Sequence, residues 1–183
     1  DERRVVRTEA ARVMTPVAGS LPDDVRPAWE QAADEYVATL RQTADRPESN
    51  VALGTHLAMR GRGEEATAAF ATALRLDPAY EPAYVNAADV MRAGGRDADA
   101  VALLRRGLEQ LPDAASLHHA LGLALVRQQE LADGTGHLAR AAALAPDVPR
   151  YTFVHAVALD SLGRRDEAVR ILRAAAQRWP HDR

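Results

Sequence analysis

The sequence predicts an all-α chain: an α-solenoid of four helical hairpins preceded by an N-terminal helical cap. Three observations carry that expectation. Pro78, Pro112, Pro146 and Pro180 recur every 34 residues, and Gly61, Gly95, Gln129 and Gly163 precede them by a constant 17. Three further columns keep the same period: Ala66, Ala100, Gly134 and Ala168; Phe70, Leu104, Leu138 and Leu172; Ala73, Gly107, Ala141 and Ala175. Apolar residues also recur at helical spacing, and no stretch shows the strict alternation of a half-buried strand.

In chain order, Arg4 to Met14 reads as a first amphipathic helix carrying Val5, Val6, Ala10, Ala11, Val13 and Met14. Gly19-Ser20-Leu21-Pro22-Asp23 is a break. Pro27 to Thr43 is a second helix, with proline in the first turn and Trp29, Ala33, Tyr36 and Leu40 along one stripe. These elements make residues 1–46 the cap. The four units span 47–80, 81–114, 115–148 and 149–182. In the first unit Val51, Leu53, Leu57 and Ala58 mark one helix, which Gly61-Arg62-Gly63 ends. Glu64 and Glu65 then open its partner, where acidic residues suit the positive end of the helix dipole, and Asp77-Pro78 stops it. The last unit is expected to stop in the same way at Trp179-Pro180-His181. Small residues such as Gly54, Ala66, Ala73, Ala88, Ala100, Gly122, Ala168 and Ala175 let helix axes approach at the close end of their ordinary spacing.

Composition excludes several chemistries. The 183 residues include no cysteine, which removes disulfides, thiolate zinc sites, iron–sulfur clusters and covalent haem attachment. All 23 basic residues are arginine, so Schiff-base and phosphate-loop lysines are absent. A net charge of −3 offers no bulk attraction to nucleic acid or anionic lipid, and no apolar run is long enough for membrane insertion. The six histidines (His56, His118, His119, His137, His155 and His181) form no i, i+4 pair and no His-Glu-x-x-His, so they read as structural and no metal or cofactor is expected. No nucleophile sits at fixed spacing from a base, so the chain is expected not to be an enzyme. Asp1 in place of methionine suggests a piece of a longer protein, whose compartment this segment does not reveal.

The columns resemble the tetratricopeptide repeat. The first unit carries Leu53-Gly54, Leu57, Ala66, Phe70, Ala73 and Pro78, and the third carries His118, Leu121-Gly122, Leu125, Leu138, Ala141 and Pro146. Departures are Asn50 for a large residue, Ala87-Ala88 for Leu-Gly, and Thr152 with His155-Ala156 in the fourth unit. The resemblance implies a right-handed solenoid whose concave groove, lined by the first helix of each unit, binds a peptide or protein segment. By register that groove comprises Val51, Thr55, Met59, Val85, Asn86, Asp89, Arg92, His119, Leu123, Arg127, Arg150, Phe153 and Val157. Asn86 can grip a peptide amide and the arginines can fork onto carboxylates. The alternative is a set of ordinary solvated positions with internal ion pairs, such as Asp89 with Arg92 or Arg127. The carboxylate clamp of chaperone-binding relatives is not matched: Val51, Thr55, Asn86, Ser116 and Ala120 stand there, and only the asparagine agrees. His119 is expected to titrate near neutrality, strengthening binding of an acidic segment below about pH 6.5.

Val6-Arg7 with Glu9-Ala10-Ala11-Arg12 resembles a HEAT-repeat helix. With Trp29 to Tyr36, Tyr84-Val85-Asn86-Ala87-Ala88-Asp89 and His118-His119-Ala120-Leu121-Gly122-Leu123, the order is similar to the C-terminal region of bacterial multihaem cytochrome c proteins. That likeness implies an architectural or dimerisation segment of a periplasmic redox protein as the alternative function. On the last helix, Arg170, Arg173 and Gln177 form a polar stripe, while Ile171, Leu172, Ala175 and Trp179 face inward or toward a neighbour. An exposed Trp179 would open a homodimer through that solenoid end.

Overall fold

The computed structural model describes residues 2–179. Among them the architecture is the expected all-α one, with helix hairpins and no strand. The helices are α1 (Glu2–Met14), α2 (Arg26–Gln42), α3 (Pro47–Met59), α4 (Gly63–Leu76), α5 (Glu81–Ala93), α6 (Asp97–Gln110), α7 (Ala115–Arg127), α8 (Leu131–Leu144), α9 (Pro149–Ser161) and α10 (Arg165–Arg178). A 3-10 helix over Thr15–Ser20, not foreseen from the sequence pattern, leads into the expected break before α2. No described helix is long and apolar enough to cross a membrane. Pro180 and His181, expected to stop the last helix, lie outside the described residues. The chain divides into two compact units, Asp1–Val90 and Met91–Arg183.

In the first unit α1 packs on α2, α2 on α3, and α3 on α4. Ala11, Trp29, Ala32 and Ala33 form the core of the α1/α2 pair, and the Trp29 indole N–H donates to the Ala11 carbonyl at 3.3 Å. The apolar stripe expected on α1 is only partly used. Val5, Val6 and Val13 are exposed: the apolar contact to α2 and the 3-10 segment comes through Ala11 and Met14, while Arg4 and Arg7 reach α2 by hydrogen bonds to Thr39 and Glu35. Phe70 is fully buried, which is worth about 1.5–3 kcal/mol. Its ring occupies the space a side chain at Gly54 would need: a Cβ there would lie 2.6 Å from Phe70 Cε1.

In the second unit α6 packs on α7, α7 on α8, α8 on α9, and α9 on α10. The α7/α8 pair brings two backbones together. A Cβ on Gly122 would sit 2.8 Å from the Gly134 carbonyl oxygen, and one on Gly134 would sit 2.9 Å from the Gly122 oxygen. Leu117, Leu121, Leu125 and Leu138 fill the remaining space with almost no exposure. Ala156, Leu159 and Ala168 make a smaller core between α9 and α10, backed by Ile171.

The turn inside each hairpin has one geometry. Gly61, Gly95 and Gly163 take φ of 75°, 73° and 76°, and Gln129 takes 66° in the same column. At each, the N–H bonds to the carbonyl three residues back and the next N–H reaches five back, as in Gly61 to Ala58 and Arg62 to Leu57. This pair of bonds closes the helix with a left-handed residue, the Schellman arrangement. A second tie recurs where the chain enters a hairpin. Asn50 Nδ2 donates to the Ala44 carbonyl (2.8 Å) and the Tyr84 hydroxyl to the Pro78 carbonyl (3.0 Å). His118 Nε2 donates to the Pro112 carbonyl (3.0 Å). Each spans six residues at the same point of the 34-residue period, which explains why asparagine, tyrosine and histidine share that column.

Gly122→Ala is expected to lower stability by about 1–3 kcal/mol through overpacking against backbone. Gly136→Ala, in the same hairpin but with open space around it, should instead raise stability by about 0.5–1 kcal/mol through helix propensity. Gln129→Gly relieves a left-handed residue and should add about 0.5–1 kcal/mol. Urea-unfolding midpoints of the three variants check these signs.

Candidate functional site

In the first unit α3 presents Val51, Thr55 and Met59, while α5 presents Val85, Asn86 and Asp89. Asn86 Nδ2 donates to Thr55 Oγ1 at 3.3 Å, so the structure brings these two side chains together. Val51, Thr55, Val85 and Asn86 are half-buried; Asp89 is exposed, and Met59 is 53% exposed. Thr55 and Met59 also border a cavity of about 430 Å³ completed by Val13, Thr15, Tyr36 and His56. The Thr15 hydroxyl donates to the Ala11 carbonyl (2.7 Å), so it must accept from His56 Nδ1 (3.1 Å). That leaves His56 Nε2 as a buried lone pair without a partner. Burial lowers the His56 pKa, with the charges of Arg60 and Arg62 adding to it and Asp34 opposing.

In the second unit the expected residues separate. Leu123 and Arg92 are half-buried, whereas Arg127 is exposed and its Nε donates to Asp97 Oδ1 at 3.1 Å. Arg127 thus has an ion-pair partner in the first turn of α6. Arg150 and the 57%-exposed Phe153 border a cavity of about 440 Å³ with Leu172, Ala175 and Trp179. They face α10, while Val157 is exposed further along α9. Trp179 is half-buried beneath the Arg178 guanidinium, 5.2 Å from the ring centre.

His119 requires correction. It is 5% exposed, lies 4.6 Å from the Tyr151 ring, and neither ring nitrogen has a partner. Burial, then the charges of Arg150 and Arg92, push its pKa down to about 4. The expected neutral-pH titration on an open face therefore does not occur. One helical position earlier, His118 meets His137 of α8, with 2.9 Å between the two Nδ1 atoms. Among the described residues no three histidine, aspartate or glutamate side chains converge as a metal cluster.

Two family models, both described as tetratricopeptide repeat, match the chain. One covers residues 57–126 and the other covers 28–81 and 119–183. The chain belongs to the tetratricopeptide-repeat family. No curated protein sequence matches it. Among solved structures it is similar to MamA 41-end from Desulfovibrio magneticus RS-1, at 18% identity and TM-score 0.66, covering 97% of this chain and 98% of that one. Another MamA crystal structure has 19% identity and TM-score 0.68, with 85% and 92% covered. YrrB, described as a TPR protein with an unusual peptide-binding site, has 16% identity and TM-score 0.62, with 96% and 86% covered. These likenesses show the fold. None of the comparisons supports the likeness to multihaem cytochrome c proteins.

In tetratricopeptide-repeat terms, α3, α5, α7 and α9 correspond to the first helices and hold the residues of the face expected from the sequence. Sequence reasoning missed Val13, Thr15, Tyr36 and His56 beside that face. Thr15 and His56 are 41 residues apart, beyond any local pattern, although Tyr36 stood visibly on the α2 stripe. It also missed His137, which occupies a column otherwise filled by Ala69, Leu103 and Ile171. A polar residue in that apolar column was the available signal.

The buried His119 sets a pH dependence. Its folded pKa of about 4 lies below the ordinary 6.5, so the unfolded chain takes up the proton first as pH falls. The stability of the neutral form is present above about pH 6.5 and is lost toward about pH 4. His119→Leu should match or exceed wild type at pH 7, because two orphaned nitrogens disappear, and should decline less steeply to pH 5. Urea midpoints at the two pH values check this; equal declines would refute it.

Proposed function

We propose that this chain is a non-catalytic protein-interaction module that binds a peptide or protein segment on its first-helix faces. The observation that carries the reading is the α3/α5 face of the first unit. There Asn86 is oriented by Thr55 while the exposed Met59 borders an open cavity of about 430 Å³. A carboxamide held by a neighbour offers a preset hydrogen-bonding group to a peptide backbone, and the cavity can take one apolar side chain. Val51, Val85 and Asp89 would extend this face in the first unit. Arg92, Leu123, Arg127, Arg150, Phe153 and Val157 are its counterparts in the second. Family membership supports the same reading, as does the similarity in fold to YrrB, a protein described as having a peptide-binding site.

Peptides selected by display against the immobilised chain provide the test. Met59→Glu and Asn86→Ala are each expected to weaken the selected peptides at least tenfold, about 1.4 kcal/mol. Arg75→Ala, on the exposed side of α4, should leave them unchanged. Equal binding by all three would overturn the assignment of the face.

A second reading, self-association through the α9/α10 end, is favoured by the exposed Phe153 and Leu172 beside the 440 Å³ cavity. Light scattering across concentration should then show a dimer that Phe153→Glu abolishes; a strict monomer removes the idea.

A further inference from the structure

Met59 borders two cavities of the first unit. One is the cavity of about 430 Å³ beside Tyr36 and His56. The other, of about 300 Å³, shares Thr15, Pro16 and Met59 with it and adds Arg26, Trp29 and Arg60. The second cavity is therefore the cationic one. Arg60 follows the last turn of α3, and its guanidinium carbon lies 5.2 Å from the centre of the Trp29 ring. Stacking on an aromatic face fixes the planar group and leaves its N–H donors uncommitted. Among the described residues the carboxylate paired with Arg60 is Asp34 at 3.9 Å, beyond hydrogen-bond distance. Arg26, at the start of α2, gives one N–H to the Leu21 carbonyl at 2.9 Å and stands 3.5 Å from Asp23. Both aspartates are almost fully exposed, so each pair is weak. A guanidinium has five donors, and most of those on Arg26 and Arg60 have no protein acceptor among the described residues. Arg12, at the first cavity, differs: Glu9 accepts from its Nε at 2.9 Å and its Nη2 at 2.5 Å.

We propose that this face recognises an acidic segment of a partner protein, with an apolar side chain in the 430 Å³ cavity and an aspartate or glutamate carboxylate on Arg26 and Arg60. The inference rests on the peptide-binding reading of α3 and α5 and adds the chemistry of the partner. Asn86 meets the peptide main chain, so side chains rather than a chain terminus enter both cavities. Because Thr15, Pro16 and Met59 belong to both cavities, the two anchors come from residues close together in the partner's sequence. The carboxylate gains charge-assisted hydrogen bonds from a guanidinium that Trp29 already orients. It displaces only the loose contacts to Asp34 and Asp23. The Arg60 side chain is just 24% exposed, so a neutral segment lying over it would remove its remaining water and supply no acceptor. That penalty disfavours neutral and basic partners.

Peptides selected by display supply the probes. Those weakened by Met59→Glu and Asn86→Ala use this face, and they should carry an aspartate or glutamate close to an apolar residue. Replacing that acid by its amide should weaken binding to wild type about tenfold, the scale of one charge-assisted hydrogen bond. In the Arg26→Gln/Arg60→Gln chain the acidic peptide and its amide counterpart should bind alike, because the groups that distinguish them are gone. A merely structural effect of the double substitution would weaken both peptides and preserve the difference between them. That result overturns the proposal. Peptides that depend on Met59 and Asn86 yet lack an acidic residue overturn it too, while leaving the peptide-binding face intact. If no selected peptide responds to Met59→Glu or Asn86→Ala, the face itself is wrongly assigned and the proposal falls with it.

Discussion

The contact on which the second unit depends is the meeting of two helix backbones at Gly122 and Gly134. Each glycine's missing Cβ is the space that the other's carbonyl oxygen occupies. Two glycines within helices lose about 1 kcal/mol each in propensity relative to alanine, and the leucines around them offset that loss. Leu117, Leu121, Leu125 and Leu138 are fully or nearly fully buried because the axes lie close enough for them to reach across. In the first unit the same column position is solved with a different pair: Gly54 yields its space to the ring of Phe70. Backbone contact and aromatic insertion are thus two solutions to one geometric requirement, a narrow helix pair every 34 residues.

Around that requirement the repeat tolerates chemical variety wherever a single donor or a single dihedral angle is what matters. An amide, a phenol and an imidazole all tie the entering turn to a carbonyl six residues back. Three glycines and one glutamine adopt the left-handed turn, and glutamine accepts strain that glycine avoids. Such positions can acquire new properties without disturbing the stack. Replacing a phenol by an imidazole keeps the tie and adds a nitrogen, which the hairpin happens to aim at His137.

Adjacent histidines show how strongly helical rotation separates neighbours. His118 points along the edge of the α7/α8 pair, where carbonyl and imidazole partners satisfy it. His119, about 100° further round a helix of 3.6 residues per turn, is buried beside Tyr151 and held neutral. The candidate binding face follows the same logic. Its usable portion in the first unit arises because Thr55 and Asn86 come from separate helices onto one surface, with Met59 at the border of a cavity that the N-terminal segment completes.

The amino-acid sequence alone determined the helical class, the period, the turns and the small residues at helix crossings, since each is a local property that repeats. Phe70, Leu104 and Leu138 were legible as core for the same reason, although Leu172, the fourth member of their column, is exposed. The tertiary structure decided matters that depend on residues far apart in the chain. It alone paired Thr15 with His56 and His118 with His137, assigned Arg127 to Asp97, and buried His119, which the register had placed on an open face. The physical reason is that periodicity specifies which side of a helix a residue occupies. Exposure and protonation depend on what the neighbouring helix brings to that side, and here the neighbours differ from repeat to repeat.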